Sequence, residues 1–482
     1  MSLKKNSVMS LFWDFSSKVS MHVVTLCVSI LLARVLSPSD FGLVAMATVF
    51  MGIAGVFGDA GLGAALIQRK HVTQIHYSSV FYFNVTVGLT LTVSTYLFAE
   101  VVAEFYSEPE LVTLVQVLSL SFVINSLSTV HRIKMRRELK FKQLAKFGFL
   151  ASLLSGFLGV IISYYGGGIW GLVSIPLVNA SIFNLFIWYK CSWIPSAIFS
   201  LKALSQLWGF GYRVFLATLL DSVFTRLDYI MIGKIFSAAT LGFYQRAKSL
   251  DYLVVYYSSS SLVSVLFPVL SRVSGDFERF KSIVTKLYVI VVFAIFLILG
   301  GVYLTSTELI LILYGEKWVQ SAEYFKILAL SGFSLPISSV LTNVLTSRGK
   351  SKLHLRVEIT KKMILLVNLI VGFSWGVHGF LYGLIVASSI NVVLSIVVTS
   401  REIKVSAFNF LCVLLIQLFL TVVCVSLVEY IFIYNSFNLI NSFILKGISF
   451  IVLYFLVNAL LKTTAFMAVT EQLKPLLLKA NV

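Results

Sequence analysis

Apolar residues fill long stretches along almost the whole chain, and only short polar breaks separate them. About 20 apolar residues carry an α-helix across the hydrocarbon core of a bilayer, and each stretch meets that length. The pattern predicts helices over 10–36, 41–68, 77–103, 110–131, 144–165, 168–190, 204–234, 241–270, 284–313, 322–347, 356–374, 376–399, 407–433 and 438–461. Lipid offers the backbone no hydrogen bonds, so helices are the economical way to span it. The expected class is an all-α polytopic membrane protein with about fourteen transmembrane helices.

The polar breaks are sorted by charge. With the N-terminus inside, the inner segments hold Lys4 and Lys5, Arg69 and Lys70, a run from Arg132 to Lys146, and Lys190 and Lys202. The pattern continues with Arg272 to Lys286, Arg348 to Lys362, Arg401 and Lys404, and finally Lys462, Lys474 and Lys479. Outer breaks carry Glu104, Glu108 and Glu110, the uncharged "YYGGG", "GEKW" with Lys317, and "YNSFN". The positive-inside rule then puts both termini in the cytoplasm.

Composition agrees. The 482 residues are 58% hydrophobic and 12% charged, with a mean hydropathy of +0.94, which leaves no room for a soluble domain. A net charge of +18 would suggest nucleic acid in a soluble protein, but sorted by loop it reads as topology, and nucleic acid is not an expected partner. Asp14 and Lys18 interrupt the apolar core a signal peptide needs, so the first segment reads as an uncleaved span. Cys27, Cys191, Cys412 and Cys424 show no paired spacing and the six histidines are scattered. No metal, cofactor or catalytic group is expected, and no nucleotide-binding loop is present.

The chain echoes itself. "LARVLSPSDFGLVAMA" from Leu32 and "IGKIFSAATLGFYQRA" from Ile232 align at an offset of 200, matching Ser37 with Ser237, Gly42 with Gly242 and Ala47 with Ala247. At an offset of 208, Glu100 and Tyr106 match Glu308 and Tyr314, and Gly168 and Gly171 match Gly376 and Gly379. The loop "RVSGDFERFKS" supplies the insertion. Colinear matches at loop boundaries favour a duplication. The expected halves are two parallel six-helix lobes, 1–200 and 201–403, followed by two further helices and a cytoplasmic tail over 404–482.

An ionisable residue at the bilayer centre costs roughly 2.5–3.5 kcal/mol on insertion scales. Here such residues gather in the first hairpin of each half: Asp14 and Lys18, then Asp59; Arg213, Asp221, Arg226 and Asp228, then Arg246, Lys248 and Asp251. Neutralisation within the protein accounts for many. Asp14 and Lys18 are spaced i,i+4 and Lys248 and Asp251 i,i+3, while depth matching pairs Lys18 with Asp59, Arg226 with Asp251 and Asp228 with Lys248. Arg213 and Arg246 have no matched acid on their own hairpin and are the sharper candidates for meeting something other than protein. The aromatic run from Tyr252 reads as an interfacial anchor or a surface for sugar rings.

"LLARVLSPSDFGLVAMATVF", "GDAGLGAALIQRKHVT", "LDYIMIGKIFSAATLGFYQRAKSL" and "YYGGGIWGLV" resemble the bacterial polysaccharide transporters, the lipid-linked oligosaccharide flippases of the multidrug, oligosaccharidyl-lipid and polysaccharide exporter superfamily. The resemblance implies alternating access, in the inner membrane, of an oligosaccharide on a polyprenyl diphosphate, for capsule, exopolysaccharide or O-antigen assembly. It also implies membrane lipids, a polysaccharide polymerase and export machinery as partners. Arg246, Arg213, Arg226, Lys248 and Lys18 are then candidates for the diphosphate, and Asp59, Asp221, Asp228 and Asp251 for ion coupling or ion pairing. A multidrug or cation antiporter would favour unpaired carboxylates over this basic lean. A membrane glycosyltransferase or polymerase would want longer polar outer loops.

Cysteine labelling in whole cells tests the topology: residues introduced at 131–146 and 348–362 stay unlabelled by an impermeant reagent until the membrane is opened.

Overall fold

The computed structural model describes residues 3–480 except 274 and 434–436; the side chains of 3–12, 14, 15, 17, 18, 256–269, 271, 272 and 473–480 lie outside the description. Among the described residues all regular structure is helical. In chain order the helices are α1 (Leu3–Val35), α2 (Pro38–Ala54), α3 (Leu62–Gln68), α4 (Gln74–Leu97), α5 (Ala99–Tyr106), α6 (Leu111–Arg137), α7 (Phe141–Ile162), α8 (Trp170–Lys190), α9 (Leu201–Phe224) and α10 (Leu227–Ile235). There follow α11 (Ala238–Val273), α12 (Phe277–Tyr314), α13 (Val319–Ser331), α14 (Ser334–Ser347), α15 (Ser351–Gly372), α16 (Gly376–Ile403), α17 (Ala407–Phe432), α18 (Leu439–Leu460) and α19 (Thr464–Ala480).

Ten helical segments among the described residues are long and apolar enough to cross a membrane. One of them, Ser351–Ile403, holds two of the expected spans: Gly376 takes φ +77 and α16 folds back on α15, with Asn368 Nδ2 donating to Phe380 O at 3.3 Å. The expected first, seventh and eighth helices form as α1, α9 with α10, and α11, but fall outside that group. Among their residues are Asp14, Lys18, Arg213, Asp221, Arg246, Lys248 and Asp251.

The chain divides into two compact units, 1–245 and 246–482, with the division inside α11. In the first unit α4 packs on α6, α6 on α8, α8 on α7 and α7 on α1, while α9 lies against α3. In the second, α12 is the hub, with α13, α17, α18 and α19 packed on it. Its core joins Phe293, Phe296, Leu341 and Ile396 with Phe410, Val425, Phe450 and Tyr454.

Four expected helices are broken: the third at Phe98 between α4 and α5 and the tenth at 332–333 between α13 and α14, besides the second and the seventh. The second ends as α2 at Ala54, passes through a 3₁₀ turn at Gly55–Gly58 and restarts at Leu62 after Ala60 (φ +46) and Gly61 (φ +73). Glycines and a left-handed turn explain that break. The seventh is interrupted between Phe224 and Leu227, without glycine or proline.

The echoed residues hold equivalent local positions. Ser37 Oγ accepts from Asp40 N at 3.2 Å, capping α2, and Ser237 Oγ accepts from Thr240 N at 3.2 Å, capping α11. Gly42 and Gly242 face the other segment: a Cβ on Gly42 would lie 1.7 Å from Ala238 O, and one on Gly242 1.9 Å from Pro38 O. The two segments thus pack reciprocally, each glycine admitting the backbone of the other. Close approach of this kind is how helices associate in lipid, where no hydrophobic drive exists between them.

Gly42→Ala or Gly242→Ala therefore forces backbone apart and should destabilise by about 1–3 kcal/mol, the usual cost of overpacking. A Cβ added at Gly209 on α9 would meet no heavy atom within 4 Å, so Gly209→Ala should be neutral or slightly stabilising. Thermal unfolding of the three variants in detergent separates them.

Candidate functional site

The first unit brings several of the candidate residues to the seam where α9 and α10 run beside the broken second helix. Arg226 occupies the gap between α9 and α10, and its Nη1 donates to Ser222 O at 3.1 Å and Ser222 Oγ at 2.7 Å. Ser222 Oγ in turn donates to Gly52 O at 3.3 Å. The guanidinium fills the space that a side chain on Gly52 would take, with Nε 2.5 Å from that Cβ position. Arg226 thus meets the carbonyl left open by the helix break rather than only a neighbouring acid.

Asp228 is buried, 8% exposed, in the first turn of α10. Its Oδ1 accepts from Tyr229 N at 3.0 Å and its Oδ2 from the hydroxyl of Tyr244 at 2.6 Å. Tyr244 is fully buried and stands edge-on to Tyr229, with ring centroids 5.5 Å apart. Depth pairs Asp228 with Lys248 in the sequence; the hydrogen bond from Tyr244 is a partner that a charge census does not reach, because a phenol carries no charge.

Arg213 is exposed on α9, as are Trp208 and Tyr212, whose rings stack at 6.2 Å on the same helix. α9 is fixed by its other side: a Cβ on Gly61 would lie 2.1 Å from Gly211 O, and Phe57 packs edge-on against Phe215 at 5.1 Å. Asp221 is exposed, and its backbone carbonyl accepts from Thr225 N at 3.0 Å and Thr225 Oγ1 at 2.8 Å. At the start of α9, Gln206 Oε1 accepts from Arg69 Nη2 at 2.5 Å and lies 3.2 Å from His76 Nε2.

Asp59 closes the broken second helix, both its oxygens accepting from Gly63 N at 3.0 and 3.1 Å. Lys18 and Asp14 belong to α1, but their side chains lie outside the described residues, as do those of Tyr256, Tyr257 and the serines that follow. In the second unit Arg246, Lys248 and Asp251 are half-buried along α11. Lys248 and Asp251 interact electrostatically one turn apart, and Arg246 is also engaged by protein groups.

The chemistry available is recognition of an anion by cations on membrane helices, with aromatic rings alongside. Sequence reasoning missed Ser222 and Tyr244, each an uncharged polar group serving a charged one.

The chain is similar to known proteins along most of its length. The family model described as polysaccharide biosynthesis protein matches residues 31–323. The lipopolysaccharide biosynthesis protein WzxC of Escherichia coli (strain K12) is 23% identical over 418 residues, 85% of this chain and 84% of that protein. The succinoglycan biosynthesis transport protein ExoT of Rhizobium meliloti (strain 1021) is 24% identical over 330 residues, 68% of this chain and 67% of that protein. Among solved structures, the lipid II flippase MurJ in an inward closed conformation superposes with a TM-score of 0.72 at 16% identity, covering 95% of this chain and 100% of that chain. That last likeness is one of fold.

Tyr244→Phe removes one donor from a buried carboxylate while keeping the ring, so it should cost about 1.5–3 kcal/mol. Denaturation of the purified variant measures it, and Asp228→Asn combined with Tyr244→Phe should cost less than the sum of the two single changes.

Proposed function

We propose, from the premise that this chain belongs to the polysaccharide biosynthesis protein family, that it is a flippase for oligosaccharide repeat units linked to a polyprenyl diphosphate. The observation that carries the reading is Arg213, an exposed cation on α9, the helix on which exposed Trp208 and Tyr212 stack, that makes no hydrogen bond or ion pair among the described residues. A diphosphate keeps its charge in a membrane only where fixed cations meet it, and a planar guanidinium offers two-point contact to phosphate oxygens. Aromatic faces on the same helix suit the sugar that follows. Arg246, Lys248 and Lys18 complete the proposed set, while Arg226 contributes by holding the seam between α9 and α2 in the state described.

In this reading the protein sits in the bacterial inner membrane with both termini cytoplasmic. Two six-helix lobes, 1–200 and 201–403, alternate access to the site, and 404–482 adds a structural pair of helices and the tail. The product passes to a polymerase and export machinery for exopolysaccharide, capsule or O-antigen. The relatives' biosynthetic names, and the word transport in one of them, support translocation rather than bond-forming chemistry.

Arg213→Ala and Arg246→Ala should each abolish measured flipping of the lipid-linked unit while leaving expression and the unfolding temperature near wild type. Lys at either position should restore only part of the rate, since an ammonium lacks the planar fork. A well-folded Ala variant that flips at the wild-type rate would remove that arginine from the site.

A further inference from the structure

We propose that the face of α4 that ends at Glu100 is a docking site for a membrane-spanning helix of another protein, one that carries a lysine or arginine level with that carboxylate. The inference does not depend on what the chain transports.

The chain's own echo points to it. At the offset of 208 that matches Glu100 with Glu308 and Tyr106 with Tyr314, the stretch from Val85 to Tyr106 corresponds to the stretch from Phe293 to Tyr314. Both tyrosines are buried. The helices around them pack in the same order: α4 on α6, α6 on α8 and α8 on α7 in the first unit, α12 on α14, α14 on α16 and α16 on α15 in the second. Each unit therefore carries a corresponding helix face, and the two differ in what lies on it.

In the second unit the face is filled by α18. Tyr454 donates to Phe293 O at 3.1 Å, a Cβ on Gly300 would lie 2.4 Å from Phe450 Cζ, and Glu308 is met by Lys446 and by Ser442 Oγ. Phe293, Leu304 and Glu308 are accordingly 3, 4 and 7% exposed. In the first unit the face is open. Leu89, Val93 and Tyr96, at spacings of four and three residues that put them on one side of α4, are 50, 57 and 51% exposed. Glu100 ends the same row and is exposed, and its side chain makes no hydrogen bond or ion pair among the described residues.

An open apolar face on a membrane helix marks only lipid. The carboxylate marks more, because ionisable groups on membrane helices ordinarily pair with one another, as its counterpart does. Glu104, one turn on, is exposed as well, so this end of the face attracts a basic helix and repels an acidic one. Lipid gives a partner helix no apolar reason to leave the bilayer, and polar pairing of this kind is what would hold it there. The partner differs from α18 at one level. Thr92 stands where the second unit has Gly300, its Oγ1 donating to Gly88 O at 2.9 Å and Ser119 O at 3.1 Å. The notch that admits Phe450 is thus filled here, and the partner needs a small residue four positions from its basic one. Lys446 of a second copy is already engaged by Glu308 of its own chain, which argues against self-association.

The full chain in nanodiscs tests this with a probe built on α18, a synthetic helix of the sequence Leu439–Leu460 carrying Phe450→Ala, its binding read by energy transfer from a dye on the protein. The probe should bind wild type saturably. Glu100→Gln in the protein, or Lys446→Ala in the probe, should weaken binding roughly three- to twentyfold, the span of polar contacts between membrane helices. Glu100→Lys should bind a probe carrying Lys446→Glu in preference to the lysine probe. Because Glu100 is exposed, these variants should unfold near the wild-type temperature. In cells, a photocrosslinking residue at position 93 should capture a protein other than this chain, and Glu100→Gln should abolish the capture. The proposal is overturned if no saturable binding is seen, if the probe binds Glu100→Gln as tightly as wild type, or if exchanging the charges fails to restore binding. It is equally overturned if position 93 crosslinks only to lipid or only to a second copy of this chain.

Discussion

A bilayer cannot solvate a charge or an open backbone group, so each one within it has to be met by protein, by a bound ion or by cargo. The seam between α9 and the broken second helix follows from that constraint. Breaking the seventh helix leaves the last carbonyls of α9 without their partners. Thr225 takes the carbonyl of Asp221, Arg226 takes that of Ser222, and Ser222 Oγ reaches across to Gly52. A break that would be costly against lipid is stitched shut by side chains, two serving carbonyls four residues away and one reaching the second helix.

The same constraint governs the C-terminal helices of the second unit. Glu308 on α12 is 7% exposed and is met from α18 by Lys446 and by Ser442 Oγ, the latter at 3.0 Å. Deeper in the same seam Tyr454 donates to Gln417 Oε1 at 2.6 Å, and Gln417 Nε2 donates to Asn458 Oδ1 at 2.9 Å. With lipid tails as apolar as leucine, apolar burial alone gives α17 and α18 little reason to prefer α12 over the bilayer. Buried polar partners supply that reason and fix the register. The pair is therefore integral to the second unit's core rather than an appendage beside it.

Much of this was legible in the sequence, for identifiable reasons. Apolar runs of spanning length marked the helices, and the echo matched Ser37 with Ser237 and Gly42 with Gly242, although the caps and the close glycine contacts they make are features of the structure alone. Those signals depend on residue type and spacing alone. The gap at Arg226 was not legible, because neither glycine nor proline announces it and the compensating bonds come from Ser222 and Gly52. Depth matching placed charges opposite charges and gave no sign of the hydrogen bond from Tyr244 to Asp228. Helix register and neutral donors decide such pairings, and neither is written in a count of ionisable residues.

Arg213 and Arg226 show why charge alone overstates a binding site. They lie on the same expected helix, yet one is spent on Ser222 and the other is left exposed. Glycine decides which. Gly61 lets the second helix reach the backbone of Gly211, which fixes the rotation of α9 about its own axis. Two residues further on, roughly 200° around the helix, Arg213 must then point away from that contact. The close packing that holds α9 in place is thus also what presents its arginine, and a larger residue at Gly61 would disturb the aim of Arg213 without touching it.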